Sequence, residues 1–290
     1  RKRVKKFKKR HKNFDNYLSN KIISNFSFAL TPDQTRVIEE INKDLKSDFK
    51  MFRILQGDVG SGKTIVSFIA ASNVIRSNWQ VALMAPTEIL AKQHFNLATK
   101  IFKSTDITIK FLSGKSDVKE KKLIREDLIN GKINFLIGTH ALFQKDILFK
   151  NLGLIIIDEQ HKFGVKQRIA LSNKGGKECD ILLMSATPIP RSLVLAVYGD
   201  MDISKIKEKP LHRKEIITLS KPEEKIDEIL FFIKNQIKNG NQIFWVCPLI
   251  EESKKLDYSA AVKKYNHLSK IFTKKVGIIH GGLQIDEKNK

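Results

Sequence analysis

The alternation of apolar and amphipathic segments constrains the fold of this chain more than any other feature. Short runs of successive apolar residues lie at 52–55, 80–86, 108–112, 133–139, 152–158 and 180–186, and helical patterns lie between several of them, at 63–76, 88–102 and 117–130. Strands that are apolar at successive positions are buried on both faces, and intervening helices supply the crossovers that parallel strands need. The pattern predicts an α/β fold with an open parallel sheet.

The alternation stops once and then restarts. The segment "KEKPLHRKE" at 207–215 combines a proline with mixed charges, which is typical of a linker. Beyond it, apolar runs at 215–219, 242–249 and 276–282 alternate with helical patterns over 222–238 and around 259–272. We therefore predict a basic connector at 1–25, a first domain at 26–206, a linker at 207–214 and a shorter second domain at 215–290.

A glycine-rich turn after the first predicted strand matches the phosphate-binding pattern G-x-x-x-x-G-K-[ST]. It consists of Gly57, Asp58, Val59, Gly60, Ser61, Gly62, Lys63 and Thr64. Its glycines let backbone N–H groups and a helix N-terminus face a phosphate. Lys63 would reach the β- and γ-phosphates, and the Thr64 hydroxyl would bind Mg²⁺. The pattern predicts a site for ATP and magnesium.

Two further segments follow predicted buried strands. In "LGLIIIDEQH" (152–161), Asp158 would hold Mg²⁺ through water and Glu159 would orient the attacking water. An Asp-Glu pair alone is more often a solvated turn, but parallel α/β sheets bind ligands where their strands end, beside the glycine-rich turn. In "SATPIPR" (185–191), Ser185 and Thr187 could hydrogen-bond the 158–161 loop and transmit the nucleotide state, although an ordinary proline-bearing turn is the alternative.

The charge of the chain indicates a polyanionic partner. Lys and Arg number 53 against 31 Asp and Glu, for a net charge of +22. The first twelve residues carry nine of these cations and no acid, which leaves +13 (+22 less +9) on the rest. Nucleic acid is favoured over a membrane, and a lysine-biased proteome is the alternative. The lead at 1–12 would bind DNA or be a solvated connector.

The remaining compositional features indicate the compartment. Cys179 and Cys247 lie far apart without metal-ligand spacing, which favours reduced cytosolic thiols. No apolar run approaches the about 18 residues that span a bilayer. The basic start is not followed by an apolar segment, so it is not a secretory signal.

Together these segments resemble the helicases and translocases of superfamily 2, whose motor consists of two RecA-like domains. "FALTPDQTRVIEEI", "QGDVGSGKT", "APTEILAKQH", "LSGK", "IGTHAL", "DEQHKFGVKQR", "MSATPIPRSLVLAVYGDMD" and "FWVCPLIEES" are most similar to the RecG family of bacterial ATP-dependent DNA helicases. The Mfd family shares the loop and "SATPIPR" but lacks the "CPLIEES" run, and PriA differs at the loop. An Mfd-like duplex translocase is the alternative.

The resemblance to RecG implies roles that the residue pattern leaves open. Gln34 would read the adenine edge, and Gln160, His161 and Arg168 would couple the ATP site to the nucleic acid. The residues implied to grip a DNA strand by its phosphates are Pro86, Thr87, Gly114, Thr139 and His140. The family implies branched or forked DNA as partner, recombination and repair as process, and the bacterial cytoplasm as location. For His94, His140 and His280, an ordinary surface or packing histidine is an equal alternative.

Three elements of the RecG pattern are not found in the 290 residues. These are a wedge domain that splits branched DNA, an arginine-rich Q-x-x-G-R-x-G-R motif whose arginines reach the γ-phosphate, and a later hairpin that couples motor movement to duplex translocation. We therefore expect a truncated second RecA-like domain with an exposed apolar sheet edge, and a chain that binds Mg·ATP but hydrolyses it slowly. A separate C-terminal fragment would supply the missing motifs, and a non-catalytic nucleic-acid-binding remnant is the alternative.

Overall fold

A computed structural model describes residues 7–26, 28–144, 146–159, 176, 178–187, 201–208, 216–247, 254–273, 275–280 and 283. The chain divides into two compact units, residues 1–214 and 215–290. Within the described ranges, no helix is both long and apolar enough to cross a membrane.

The first unit is a parallel sheet with helices on its faces. Its described helices are α1 (Tyr17–Ile23), α2 (Pro32–Leu45), α3 (Lys63–Arg76), α4 (Glu88–Ile101) and α5 (Val118–Ile129). Its strands are β1 (Phe52–Gly57), β2 (Gln80–Met84), β3 (Ile109–Leu112), β4 (Phe135–Gly138), β5 (Leu152–Ile157), β6 (Asp180–Ser185) and β7 (Asp202–Ile206). A 3-10 turn spans His140–Phe143. The strands pair in parallel in the order β3-β4-β2-β5-β6-β1-β7, which confirms the predicted α/β fold.

Strand β7 is the one element of this sheet that the apolar runs did not predict. Among the described residues, it lies at the edge of the sheet and pairs only with β1. Its sequence DISKI alternates in burial, with Ser204 and Ile206 buried and Asp202 and Lys205 exposed. A half-exposed edge strand lacks the continuous apolar run by which central parallel strands are detected.

The sheet separates two apolar layers. One layer lies under α1 to α4 and contains Leu154, Ile156 and Phe135, whose ring makes edge contacts with Phe68 and Phe102 at centroid distances of 5.8 and 6.2 Å. The other layer includes Ile155 and Ile157 with residues of α5. Because side chains alternate along a strand, successive isoleucines of β5 enter opposite layers. This explains why the central strands are apolar at every position.

The basic lead is anchored on the first unit by buried ion pairs. The Lys9 ammonium lies 2.7 Å and the Lys12 ammonium 2.6 Å from the Asp180 carboxylate, and all three side chains are fully buried. The same carboxylate accepts a hydrogen bond from the Met51 backbone N–H at 2.7 Å. Burial lowers the pKa of Lys9, while the Asp180 charge raises it. The expectation of DNA binding or a solvated connector is therefore wrong for Lys9 and Lys12, because buried ammonium groups need a fixed counter-charge.

The second unit contains helices but no described sheet. A 3-10 turn at Glu223–Lys225 leads into α6 (Ile226–Lys238), and α7 spans Lys254–Ile271. A small cluster forms around Ile233, Leu268 and Phe272. The strands predicted at 215–219, 242–249 and 276–282 are not strands where the structure describes them, at 216–220, 242–247 and 275–280. Apolar side chains stay exposed there, because these segments have no paired neighbour in the described part of this unit.

Candidate nucleotide-binding site

The loop at 57–64 has the backbone that the phosphate-binding pattern requires. Gly60 and Gly62 have φ of +80° and +87°, a region that favours glycine, and α3 begins directly afterwards at Lys63. A Cβ on Gly57 would lie 2.6 Å from the Ser61 hydroxyl, and one on Gly62 would collide with the Gln34 amide. Asp58, Val59 and Gly60 are exposed. The loop is thus closely packed at its base and accessible at its tip.

Inside this loop, the Lys63 ammonium and the Ser61 hydroxyl can each make further hydrogen bonds. The Lys63 ammonium donates to the backbone carbonyls of Gly57 at 2.6 Å and Asp58 at 2.8 Å. Burial lowers its pKa, and the carboxylates of Glu159, Asp158 and Asp58 oppose that effect. The Ser61 Oγ is buried and has no hydrogen-bond partner among the described residues. A bound phosphate would satisfy both groups, so these residues fit the predicted triphosphate.

Asp158 follows β5 and is held by three contacts. Its backbone N–H donates to the Met84 carbonyl at 2.8 Å. One carboxylate oxygen accepts from the Glu159 backbone N–H at 3.0 Å, and the other lies 2.7 Å from Nε2 of His94. Glu159 has φ of +47°, which is uncommon for a residue other than glycine. Residues held in such conformations cluster at functional sites.

His94 is the site residue that the sequence analysis did not assign. It lies in the middle of α4, whose buried residues are Ala91, His94, Ala98 and Ile101. A polar ring on an otherwise apolar buried helix face needs a hydrogen-bond partner. That spacing was the signal in the sequence, but the identity of the partner depends on β2 and β5 being neighbours in the sheet.

The comparisons with known proteins agree with this geometry. Residues 31–195 match the family model described as DEAD/DEAH box helicase. The chain belongs to the DEAD/DEAH box helicase family. It is 46% identical over 99% of its length to the ATP-dependent DNA helicase RecG of Thermotoga maritima and 47% identical over 95% to that of Bacillus subtilis. It covers 38% and 41% of these relatives, about two fifths of their length.

A solved structure of RecG bound to a three-way DNA junction is also similar to this DEAD/DEAH box helicase chain. It shares 41% sequence identity, with a TM-score of 0.79 over 97% of this chain and 37% of that chain. The predicted resemblance to RecG is confirmed.

In this helicase family member, both polar ends of the Gln34 side chain make contacts within the protein. Its carbonyl oxygen accepts from the Thr31 backbone N–H at 3.0 Å, which completes the capping box at the start of α2. Its amide nitrogen donates to the Ser61 carbonyl at 2.9 Å. Gln34 is therefore joined to the phosphate loop, and its reading of adenine stays a prediction.

The residues expected to contact DNA follow three neighbouring strands. Pro86 and Thr87 follow β2, Gly114 follows β3, and Thr139 with His140 follows β4. Thr87, Gly114 and His140 are exposed. The Thr139 hydroxyl is buried, and no described residue hydrogen-bonds it. The phosphate loop and the expected DNA contacts thus both lie beyond the carboxyl ends of the strands, but after different strands.

The residues expected to couple the two ligands are described only in part. The Ser185 hydroxyl donates to the Thr187 carbonyl at 3.0 Å and lies 3.2 Å from its hydroxyl. The same carbonyl accepts from the Gln56 side chain at 3.1 Å. These contacts join the end of β6 to β1, beside the phosphate loop. Gln160, His161 and Arg168 lie outside the described residues.

Proposed function

We propose that this chain is the ATP-binding motor core of a RecG-type helicase that acts on branched DNA in recombination and repair. The observation that carries the proposal is the position of the Lys63 ammonium on the phosphate loop, close enough to Asp158 and Glu159 for their charges to affect its pKa. A lysine, a metal-binding carboxylate and a water-orienting carboxylate around one loop are the parts that phosphoryl transfer needs.

Each residue of the site would have a defined task in hydrolysis. Lys63 would exchange its contacts with the loop carbonyls for phosphate oxygens. Thr64 and Asp158 would hold the magnesium ion, which when bound neutralises charge on the phosphates. Glu159 would orient the water that attacks the γ-phosphate. Arginines supplied from another segment or a separate chain would complete the site, and their contribution stays a prediction.

DNA is the partner that we propose for the residues that follow β2, β3 and β4. The exposed residues Thr87, Gly114 and His140 follow adjacent strands, and the net charge of +22 favours a polyanion. Contacts through hydroxyl and backbone N–H groups position a strand without reading its sequence. The similar RecG structure holds a three-way DNA junction, which supports branched DNA over the Mfd-like alternative. We place the chain in the bacterial cytoplasm.

The test is a binding titration with a fluorescent ATP analogue and magnesium. We expect Lys63→Ala to weaken the affinity roughly 10- to 100-fold, since a hydrogen bond to a charged group contributes about 1.5–3 kcal/mol. Lys100→Ala, which removes an exposed lysine from α4, is the matched control and should bind as the unsubstituted chain does.

Equal affinity of the Lys63→Ala and unsubstituted chains would contradict the proposal. Turnover measured in the same samples, with and without forked DNA, separates the motor from the remnant. ATP binding without hydrolysis above the Lys63→Ala background, at every DNA concentration, would support the non-catalytic alternative.

A further inference from the structure

The loops after the carboxyl ends of the strands form two groups, one expected to contact DNA and one expected to bind the nucleotide. His94 and Asp158 connect these two groups. In the order β3-β4-β2-β5-β6-β1-β7, the expected DNA contacts follow the first three strands, and the phosphate loop and acid pair follow β1 and β5. The boundary between the two groups is the β2–β5 pair. His94 belongs to α4, the helix that follows β2, whereas Asp158 directly follows β5. The 2.7 Å contact between their side chains crosses that boundary.

We propose that His94 is a positioning residue, which fixes the Asp158 carboxylate for the magnesium of the bound nucleotide. This inference rests on the proposed function. One Asp158 oxygen is held by the Glu159 N–H and the other by His94. With both oxygens anchored, the carboxylate cannot rotate freely, and its remaining lone pairs would be available to hold the metal through water. His94 itself would not touch the metal or ATP.

The position of His94 on α4 suits this task. The ring is buried, and Ala91, Ala98 and Ile101 of the same helix are also buried in the unit. Thr87 caps the N-terminus of this helix, and its hydroxyl accepts from the Leu90 N–H at 3.3 Å. An imidazole held on a rigid helix restricts the carboxylate more than a surface side chain would. Partners behind a metal ligand typically contribute about 10- to 100-fold to metal affinity or activity.

Three substitutions separate positioning from packing. His94→Leu fills the space but has no hydrogen-bond donor. His94→Gln places an amide nitrogen at about the reach of Nε2, whereas His94→Asn carries the same amide on a shorter side chain that falls short of Asp158. Gln93→Ala changes an exposed neighbour on α4 and is the control. Should the Leu variant fail to fold, the Gln and Asn pair decides.

The measurement is the affinity of the 290-residue chain for a fluorescent ATP analogue, with magnesium and with EDTA in its place. We expect His94→Leu and His94→Asn to weaken the magnesium-dependent affinity about 10-fold, the lower end of the usual range. His94→Gln should recover most of the loss. In EDTA all variants should bind alike, because a positioning role acts through the metal alone.

Several results would overturn the inference while the proposed function stands. They are unchanged magnesium-dependent affinity in His94→Leu, an equal loss with magnesium and with EDTA, or a Gln variant as weak as the Asn variant. An unsubstituted chain that shows no magnesium-dependent binding would remove the proposed function, and the His94 inference with it.

Discussion

In both units of the chain, short apolar runs alternate with amphipathic helices, but the described runs form a sheet only in the first. Strand β4 of the first unit has neighbours on both sides, and its Phe135 is fully buried. The segment around Phe244 in the second unit has a similar apolar sequence, yet that side chain is 86% exposed. An apolar run becomes a strand when other strands complete its hydrogen bonds. The comparison separates what local sequence specifies from what pairing supplies.

The largest effect is expected at the buried ion pairs of the first unit, which have no counterpart among the described residues of the second unit. Asp180→Asn leaves the buried ammonium groups of Lys9 and Lys12 without a carboxylate. Loss of one partner from a buried ion pair costs about 3–5 kcal/mol, and here two cations lose the same partner. Urea unfolding followed by Trp79 fluorescence, in a Trp245→Phe background, measures the first unit alone.

Asp48→Asn is the control for that substitution. It removes the carboxylate of an exposed pair with His11, so the free energy of unfolding should change by at most about 1 kcal/mol. Similar losses in both variants would show that the Asp180 cluster does not anchor the lead.

A matched pair of phenylalanines tests the comparison directly. Phe135→Ala removes a buried ring packed against Phe68 and Phe102 and should destabilise the first unit by about 3–5 kcal/mol. Phe244→Ala should change the stability of the second unit by less than about 0.5 kcal/mol. Trp79 reports on the first unit and Trp245 on the second. A large loss from Phe244→Ala would mean that the second unit buries this ring in solution.

The smallest effect concerns the chain segment that leaves the first unit. Arg36 and the backbone N–H groups of Lys207 and Glu208 lower the pKa of Asp33 to about 2. A lowered carboxylate pKa gives stability that is present above the unfolded value near 4 and is lost as the pH falls towards 2. We expect Asp33→Asn to lower the melting temperature slightly at pH 6, by an amount that shrinks between pH 4 and pH 2. A pH-independent difference would exclude this origin.

The first unit shows how far sequence patterns reach. The central strands were predicted because each is apolar on both faces, and α2 because Thr31 and Pro32 mark its start. Strand β7 was not predicted, since its alternating pattern reflects an edge position that only the assembled sheet defines. In the second unit the same rule predicted strands that the described residues do not form. The composition of a segment indicates that it is suited to a sheet. Whether neighbouring strands exist to pair with it depends on distant parts of the chain.

The candidate site likewise has a part that the local sequence predicts and a part that it does not. The phosphate loop and the acid pair were predictable because their chemistry is encoded in contiguous residues. The His94–Asp158 contact joins residues 64 positions apart, and the Lys9–Asp180 contact joins residues 171 positions apart. Neither contact leaves a local pattern that identifies both partners, so a basic lead was expected at the surface and a histidine was left unassigned. Each depended on which strands became neighbours.

The place of β1 between β6 and β7 has a consequence for how the protein is made. As the ribosome delivers the chain in the N- to C-terminal direction, the glycine-rich turn emerges before both neighbours of its strand, which lie beyond residue 179. At about 5–20 residues per second, the wait is on the order of ten seconds. During that interval the phosphate loop follows a strand, β1, that has neither of its two neighbouring strands beside it. The phosphate loop is therefore among the last parts of the newly made domain to be supported by its neighbouring strands.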